Sequence, residues 1–196
     1  MAIFLASKRT SQTNLRQQYG NGAIIDVTSR GSEPWVKFSP FYPHGGIPVS
    51  FTPGRTAASV EAIWQGLKVF EHQDVDEALL DDMSFHRRKR GGPARGQVLG
   101  HRAGIGGERL LGYAEARRLI YLPAYRWMLE HCVPDLVERL RRLSAGGLVT
   151  LLDYDTNADI NNLSKPLSHA ALIIHYINGT WPAEMDGDDA AAAHSQ

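Results

Sequence analysis

Apolar residues recur along this chain with two different periods. From Leu110 to Cys132 they return every third or fourth position, the spacing of one helix face, and Pro123 predicts a kink or a division into two pieces because proline removes an amide donor. Val60, Ile63, Trp64, Leu67, Val69 and Phe70 repeat that spacing, with Ser59 or Thr56 available as the N-cap. Further helices are predicted around Val75 to Phe85, over Asp135 to Leu143 behind Pro134, and over Ser168 to Ile177 ahead of Asn178-Gly179. Two short apolar runs read as strands: Ala23 to Thr28, entered from the turn signal Asn21-Gly22, and Leu148 to Leu152, which follows Gly146-Gly147.

The stretches between these elements have their own signals. Ser7 to Gln18 is polar with little periodicity. Trp35 to Val49 carries Phe38, Phe41, Tyr42, three prolines and Gly45-Gly46, which predicts a rigid aromatic loop or short irregular strands. Arg87 to Gly107 is basic and glycine-rich, and reads as loop with a short helix inside it. The sum is an α+β fold: a mainly helical single domain with a small sheet over residues 23–182, a polar lead-in over 1–22, and an acidic, Ala-rich disordered tail over 183–196.

Composition narrows the function classes. In 196 residues, 21 Lys and Arg balance 21 Asp and Glu, so the chain lacks the field of a dedicated nucleic-acid binder, and any nucleic-acid partner must use a local patch. Cys132 is the sole cysteine, which rules out an internal disulfide or a cysteine-built zinc site and fits a reducing compartment. The apolar run Ala2 to Ala6 is too short for a signal-peptide core, and no later run has membrane-spanning length. The expected setting is the cytoplasm, with no membrane partner.

Four groups of residues carry candidate chemistry. Glu61, Trp64, Gln65 and Lys68 lie at helical spacing, so one stripe would present carboxylate, indole, amide and ammonium to a pocket, or solvated charges around a core tryptophan. Asp153-Tyr154-Asp155 leaves a predicted strand; the segment lacks the glycine and terminal glutamate of a calcium loop, and an Asx-rich turn is its plainer explanation. His44, His101 and His169 lack the spacing that preorganises zinc, so neither metal nor cofactor is expected. Arg87-Arg88-Lys89-Arg90, with Arg95 and Arg102, is a candidate for anionic ligands or a solvated face.

Taken in order, several of these stretches resemble the NADAR superfamily. Phe38-Ser39-Pro40-Phe41 resembles its Phe-Ser-Asn-Phe element. Ser59-Val60-Glu61, continuing through Gln65, Lys68 and Phe70, is similar to its Ser-x-Glu-x-x-x-Gln-x-x-Lys-Phe helix, and Leu99-Gly100-His101-Arg102 to the glycine-arginine segment that follows. Leu151 to Asp159 resembles the family's strand and acidic turn, although its Trp-Gly is absent, as is the asparagine expected near Pro166-Leu167-Ser168-His169. The resemblance implies a NADAR-like fold and a hydrolase that cleaves the N-glycosidic bond of a nucleotide or ADP-ribose-like small molecule, or of an ADP-ribosylated base in nucleic acid. It implies Glu61, Asp155 and Asp153 as catalytic carboxylates, and Ser39, Phe41, Trp64, Gln65, Lys68, Arg102, His101 and His169 as substrate contacts, with Tyr42 as an alternative to Phe41. Two alternatives stay open: a non-catalytic module binding ADP-ribose or nucleic acid through the same surfaces, and a carboxylate-dependent metal hydrolase.

Overall fold

The computed structural model describes residues 2–84 and 93–182. In chain order the elements are β1 (Ile3–Ser7), α1 (Gln12–Tyr19), β2 (Ala23–Asp26), β3 (Ile47–Pro48), β4 (Thr56–Ala57), α2 (Val60–Gly66), β5 (Lys68–Phe70), β6 (Val98–Arg102), β7 (Leu110–Leu111), α3 (Tyr113–Ala116), α4 (Leu122–His131), α5 (Pro134–Gly146), β8 (Val149–Asp153) and α6 (His169–Asn178). A π-helical segment, Arg117–Tyr121, joins α3 to α4. This is an α+β protein, and no described helix is long and apolar enough to cross a membrane. Its chain forms two compact units: the residues up to Pro40 with Leu129–Pro182, and Phe41–Met128.

The first unit is built on a parallel sheet of order β1-β8-β2, with β8 in the centre. Val149 and Leu151 on β8 are buried, as are Ile3 and Ala6 on β1, Ile25 on β2 and Leu15 on α1. A parallel sheet needs cover on its faces; α6 packs on β1 and β8, and Tyr19 of α1 meets Phe4 of β1. Gly22 lets β2 enter beside β8: an added Cβ would sit 2.2 Å from the Leu148 carbonyl oxygen. Ahead of β2, the strand β1 and the helix α1 stand where the sequence suggested a polar lead-in. The short apolar run Ile3 to Ala6 is long enough for a parallel strand. Ser11 caps α1 through the Asn14 amide, which accounts for the polar segment behind it.

The second unit holds two small antiparallel sheets, β3-β4 and β5-β6-β7. Ile47, Ala62, Ile63, Leu67, Leu80, Leu111, Ile120, Leu122, Tyr125 and Met128 fill its core. Three sequence expectations need correction here. The α2 helix stops at Gly66 and the chain turns into β5, so Lys68, Val69 and Phe70 are strand; an extra Cβ on Gly66 would lie 2.7 Å from Leu80 Cδ2, so this end of the helix is packed tightly. Val75 to Phe85 forms no helix over its described part, only a 3-10 turn at Glu77–Leu79. The basic connection contains the central strand β6, preceded by the short turn Pro93–Arg95. Pro123 lies in the first turn of α4, directly after the π-helical segment Arg117–Tyr121, whose wider turn accommodates the ring and the missing amide. The Arg87–Arg90 stretch and the 183–196 tail fall outside the described residues.

Candidate functional site

In the second unit the α2 helix starts on a firm cap: Ser59, fully buried, accepts from the Ala62 amide at 3.0 Å. Two residues into that helix stands Glu61, half-buried, with Gln65 Nε2 donating to its Oε1 at 2.6 Å, the i, i+4 contact its spacing predicts. Burial raises the Glu61 carboxyl above its ordinary range, and the Gln65 donor and the Lys68 charge pull only partly the other way. The Gln65 Oε1 atom is itself buried without a hydrogen-bond partner.

Trp64, one turn along the same face, is the centre of an aromatic cluster. Its ring lies 3.9 Å from the ring of His101, which is 1% exposed, and meets the edges of Tyr113 at 5.8 Å and Tyr121 at 5.7 Å. Lys68, although on β5, still places Nζ 5.9 Å from the Trp64 ring. Behind Tyr113 is the fully buried Arg117, whose guanidinium lies 4.8 Å from that ring and donates to the Tyr113 hydroxyl at 3.1 Å. Tyr113, Tyr121 and Arg117 were not among the sequence-predicted residues. Their signal was available in the tyrosines and arginines that interrupt the apolar spacing of residues 113–121.

Arg102 follows His101 on β6, with its fork committed to Asp74 at 3.0 and 2.7 Å and a further bond to the Glu108 carbonyl at 2.9 Å. Phe41 and Tyr42 belong to the same unit, with the Tyr42 ring 4.7 Å from His44. Thus Glu61, Trp64, Gln65, Lys68 and His101 form one neighbourhood within this unit.

Ser39, Asp153, Asp155 and His169 belong to the other unit. There Ser39 is buried in the turn after the 3-10 segment Trp35–Phe38. Asp153, 4% exposed at the carboxyl end of β8, points at the start of α6: its Oδ2 accepts from Ser168 Oγ at 2.7 Å and the Ala170 amide at 3.3 Å, and its Oδ1 from the Tyr154 amide at 2.7 Å. His169 Nδ1 stands 3.0 Å from the same Oδ2, and its Nε2 is 2.9 Å from the Val27 carbonyl oxygen. Both ring nitrogens face acceptors, so both carry protons and the ring is an imidazolium. Burial opposes charge on both partners, but the mutual attraction and these hydrogen bonds outweigh it, raising the histidine and lowering the aspartate. This pair ties the ends of β2 and β8 to α6. Asp155 is half-buried two residues further on. A shallow depression of about 620 Å³ at the other end of the sheet, lined by Gly22, Leu143 and Leu148 among others, includes none of the predicted residues.

A family model described as a family of unknown function (DUF6939) matches residues 7–173. No curated protein and no solved structure matches the chain.

Proposed function

We propose that this chain, which belongs to that family of unknown function, is a cytoplasmic, NADAR-like N-glycosidase in which Glu61 is the catalytic carboxylate. The observation that carries the proposal is a half-buried carboxyl held by Gln65 at 2.6 Å and set beside an aromatic cluster on the same helix face; burial pushes it above its ordinary range. The resemblance of Ser59 to Phe70 to the NADAR glutamate helix supports it from the sequence side.

Hydrolysis of a glycosidic C–N bond builds positive charge on the sugar while the base departs with the bonding electrons. An ionised Glu61 beside the anomeric carbon stabilises that charge and takes a proton from the attacking water. The new C–O bond replaces the C–N bond, and the proton passes to the departing base. A carboxyl raised above its ordinary range is a stronger base than an ordinary one, which suits this role. Gln65 fixes the carboxylate, and Trp64 with Tyr113 offers π-faces and edges to a planar base. Arg102 is held by Asp74, and Asp153 by His169, so both are committed to partners within the fold.

The test is incubation of the purified protein with a panel of N-glycosides, including ADP-ribosylated guanine and riboflavin-pathway intermediates, with mass spectrometry of released base. Release that disappears in Glu61→Gln supports the proposal. Saturable binding without release identifies a binding module instead, and release unchanged in Glu61→Gln removes Glu61 from the chemistry.

A further inference from the structure

The parallel sheet of the first unit has a feature that the glycosidase reading does not use. Phe4 on β1 pairs in register with Thr150 on β8, so their side chains share a face, and the Phe4 ring lies 5.4 Å from Tyr19 of α1. Asp153, in odd register with Val149 and Leu151, lies on the opposite face, where it receives the start of α6. The chain therefore leaves the adjacent strands β1 and β8 toward opposite faces. That divergence is a topological switch point, and in open parallel sheets ligands bind in the crevice it opens beyond the carboxyl ends of the strands.

Residues at this position carry matched chemistry. Lys8, the residue after β1, forms an ion pair with Asp26, the last residue of β2, and so arches over the end of the central strand between them. Asp26 is itself fixed by the Thr28 amide at 3.0 Å and the Thr28 hydroxyl at 2.7 Å. An ammonium has three donors; Asp26 takes one, and the 28% exposed side chain keeps the others accessible. Asp155, leaving β8, is half-buried and makes no hydrogen bond or ion pair with any described residue. Among the described residues Lys8 pairs with Asp26 and His169 with Asp153, and no cation pairs with Asp155; the exposed Arg9 is screened by solvent. With those pairs neutral, the Asp155 carboxylate disfavours a dianion such as phosphate. It favours a ligand that brings an ammonium together with an oxygen acceptor.

We propose that the carboxyl end of the parallel sheet is a ligand site for a small zwitterion of the α-amino-acid type, with the ligand ammonium on Asp155 and its carboxylate on the spare donors of Lys8. This site is independent of Glu61. The test is isothermal titration of the full chain with each of the twenty common L-amino acids, with ethylamine, acetate and inorganic phosphate as controls. At least one amino acid is expected to bind saturably and all three controls weakly. Lys8→Met and Asp155→Asn should each weaken that binding by about tenfold or more, through loss of a charge-assisted contact, while Glu61→Gln leaves it unchanged. Asp155 has no partner among the described residues, so Asp155→Asn remains informative even if Lys8→Met unfolds. Absence of binding by all twenty amino acids would overturn the proposal, as would an affinity unaffected by Asp155→Asn or phosphate binding more tightly than any amino acid.

Discussion

Asp153 in one unit and Glu61 in the other both stand at the first turn of a helix, where backbone amides favour a carboxylate; Asp153 is buried and Glu61 half-buried. Asp153 is met by a hydroxyl, two amides and an imidazolium, and its carboxyl is held below the ordinary range. Glu61 is met by the side-chain amide of Gln65 and the more distant Lys68 charge, and its carboxyl is pushed up. The contrast separates a structural carboxylate from an available one. Once every lone pair is satisfied, a buried charge fastens elements together and has little capacity left for a substrate. A carboxylate left short of donors is poised to accept a proton.

The largest expected effect that sharpens this contrast is on turnover. If Glu61 acts as proposed, Glu61→Gln lowers kcat by about 10²–10⁴-fold, the usual value of general-base help, with the melting temperature little changed. Next comes Asp153→Ala, which leaves the His169 imidazolium buried without its counter-charge and should destabilise the unit by roughly 3–5 kcal/mol in denaturant unfolding. Glycosidase activity lost by Asp153→Ala while the protein stays folded would break the comparison, because it would place Asp153 in the chemistry.

The same contrast explains what could be read in the sequence. The Glu61–Gln65 contact was legible because helical spacing alone brings i and i+4 together, and Ser59 marked where the helix starts. β2, β8, α5 and α6 were legible from periodicity and from Gly and Pro punctuation. The Asp153–His169 pair was not, because a long loop separates its members and only the strand-to-helix packing joins them. β1 was hidden by its shortness, and with it the Lys8–Asp26 pair, which depends on strand order rather than spacing. β6 was hidden because Gly100 and a basic approach read as loop, although antiparallel pairing with β5 and β7 settles it as a central strand.

Stability as a function of pH should show the two carboxylates pulling in opposite directions. For the ion pair, the lowered Asp153 contributes stability that is present above the unfolded value of about 4 and lost as pH falls through its depressed folded value. The raised His169 contributes stability that is present below about 6.5 and lost as pH rises through its elevated folded value. The gap between wild type and Asp153→Ala should therefore be widest between about pH 4 and 6.5 and narrow on either side. Thermal melts across that range measure it, and a gap independent of pH would mean that packing, not charge, holds β8 to α6.

The smallest effect carries the opposite sign. The folded-state value of Glu61 is raised, so its favourable contribution is present at acid pH, where the carboxyl is protonated, and is lost as pH rises through that raised value. Glu61→Gln keeps a neutral side chain at every pH and should match wild type in acid. Above the raised value it should become slightly more stable, by no more than about 1 kcal/mol, because the residue is only half-buried and solvent screens part of the penalty. A melting-temperature difference that grows with pH, together with lost turnover, would show that the fold tolerates an ionised Glu61 at some expense in stability. Such a trade of stability for a reactive group is the expected signature of a functional carboxylate. A flat difference would mean that Glu61 stays ionised and well solvated in the folded protein, and the distinction between the two carboxylates would collapse.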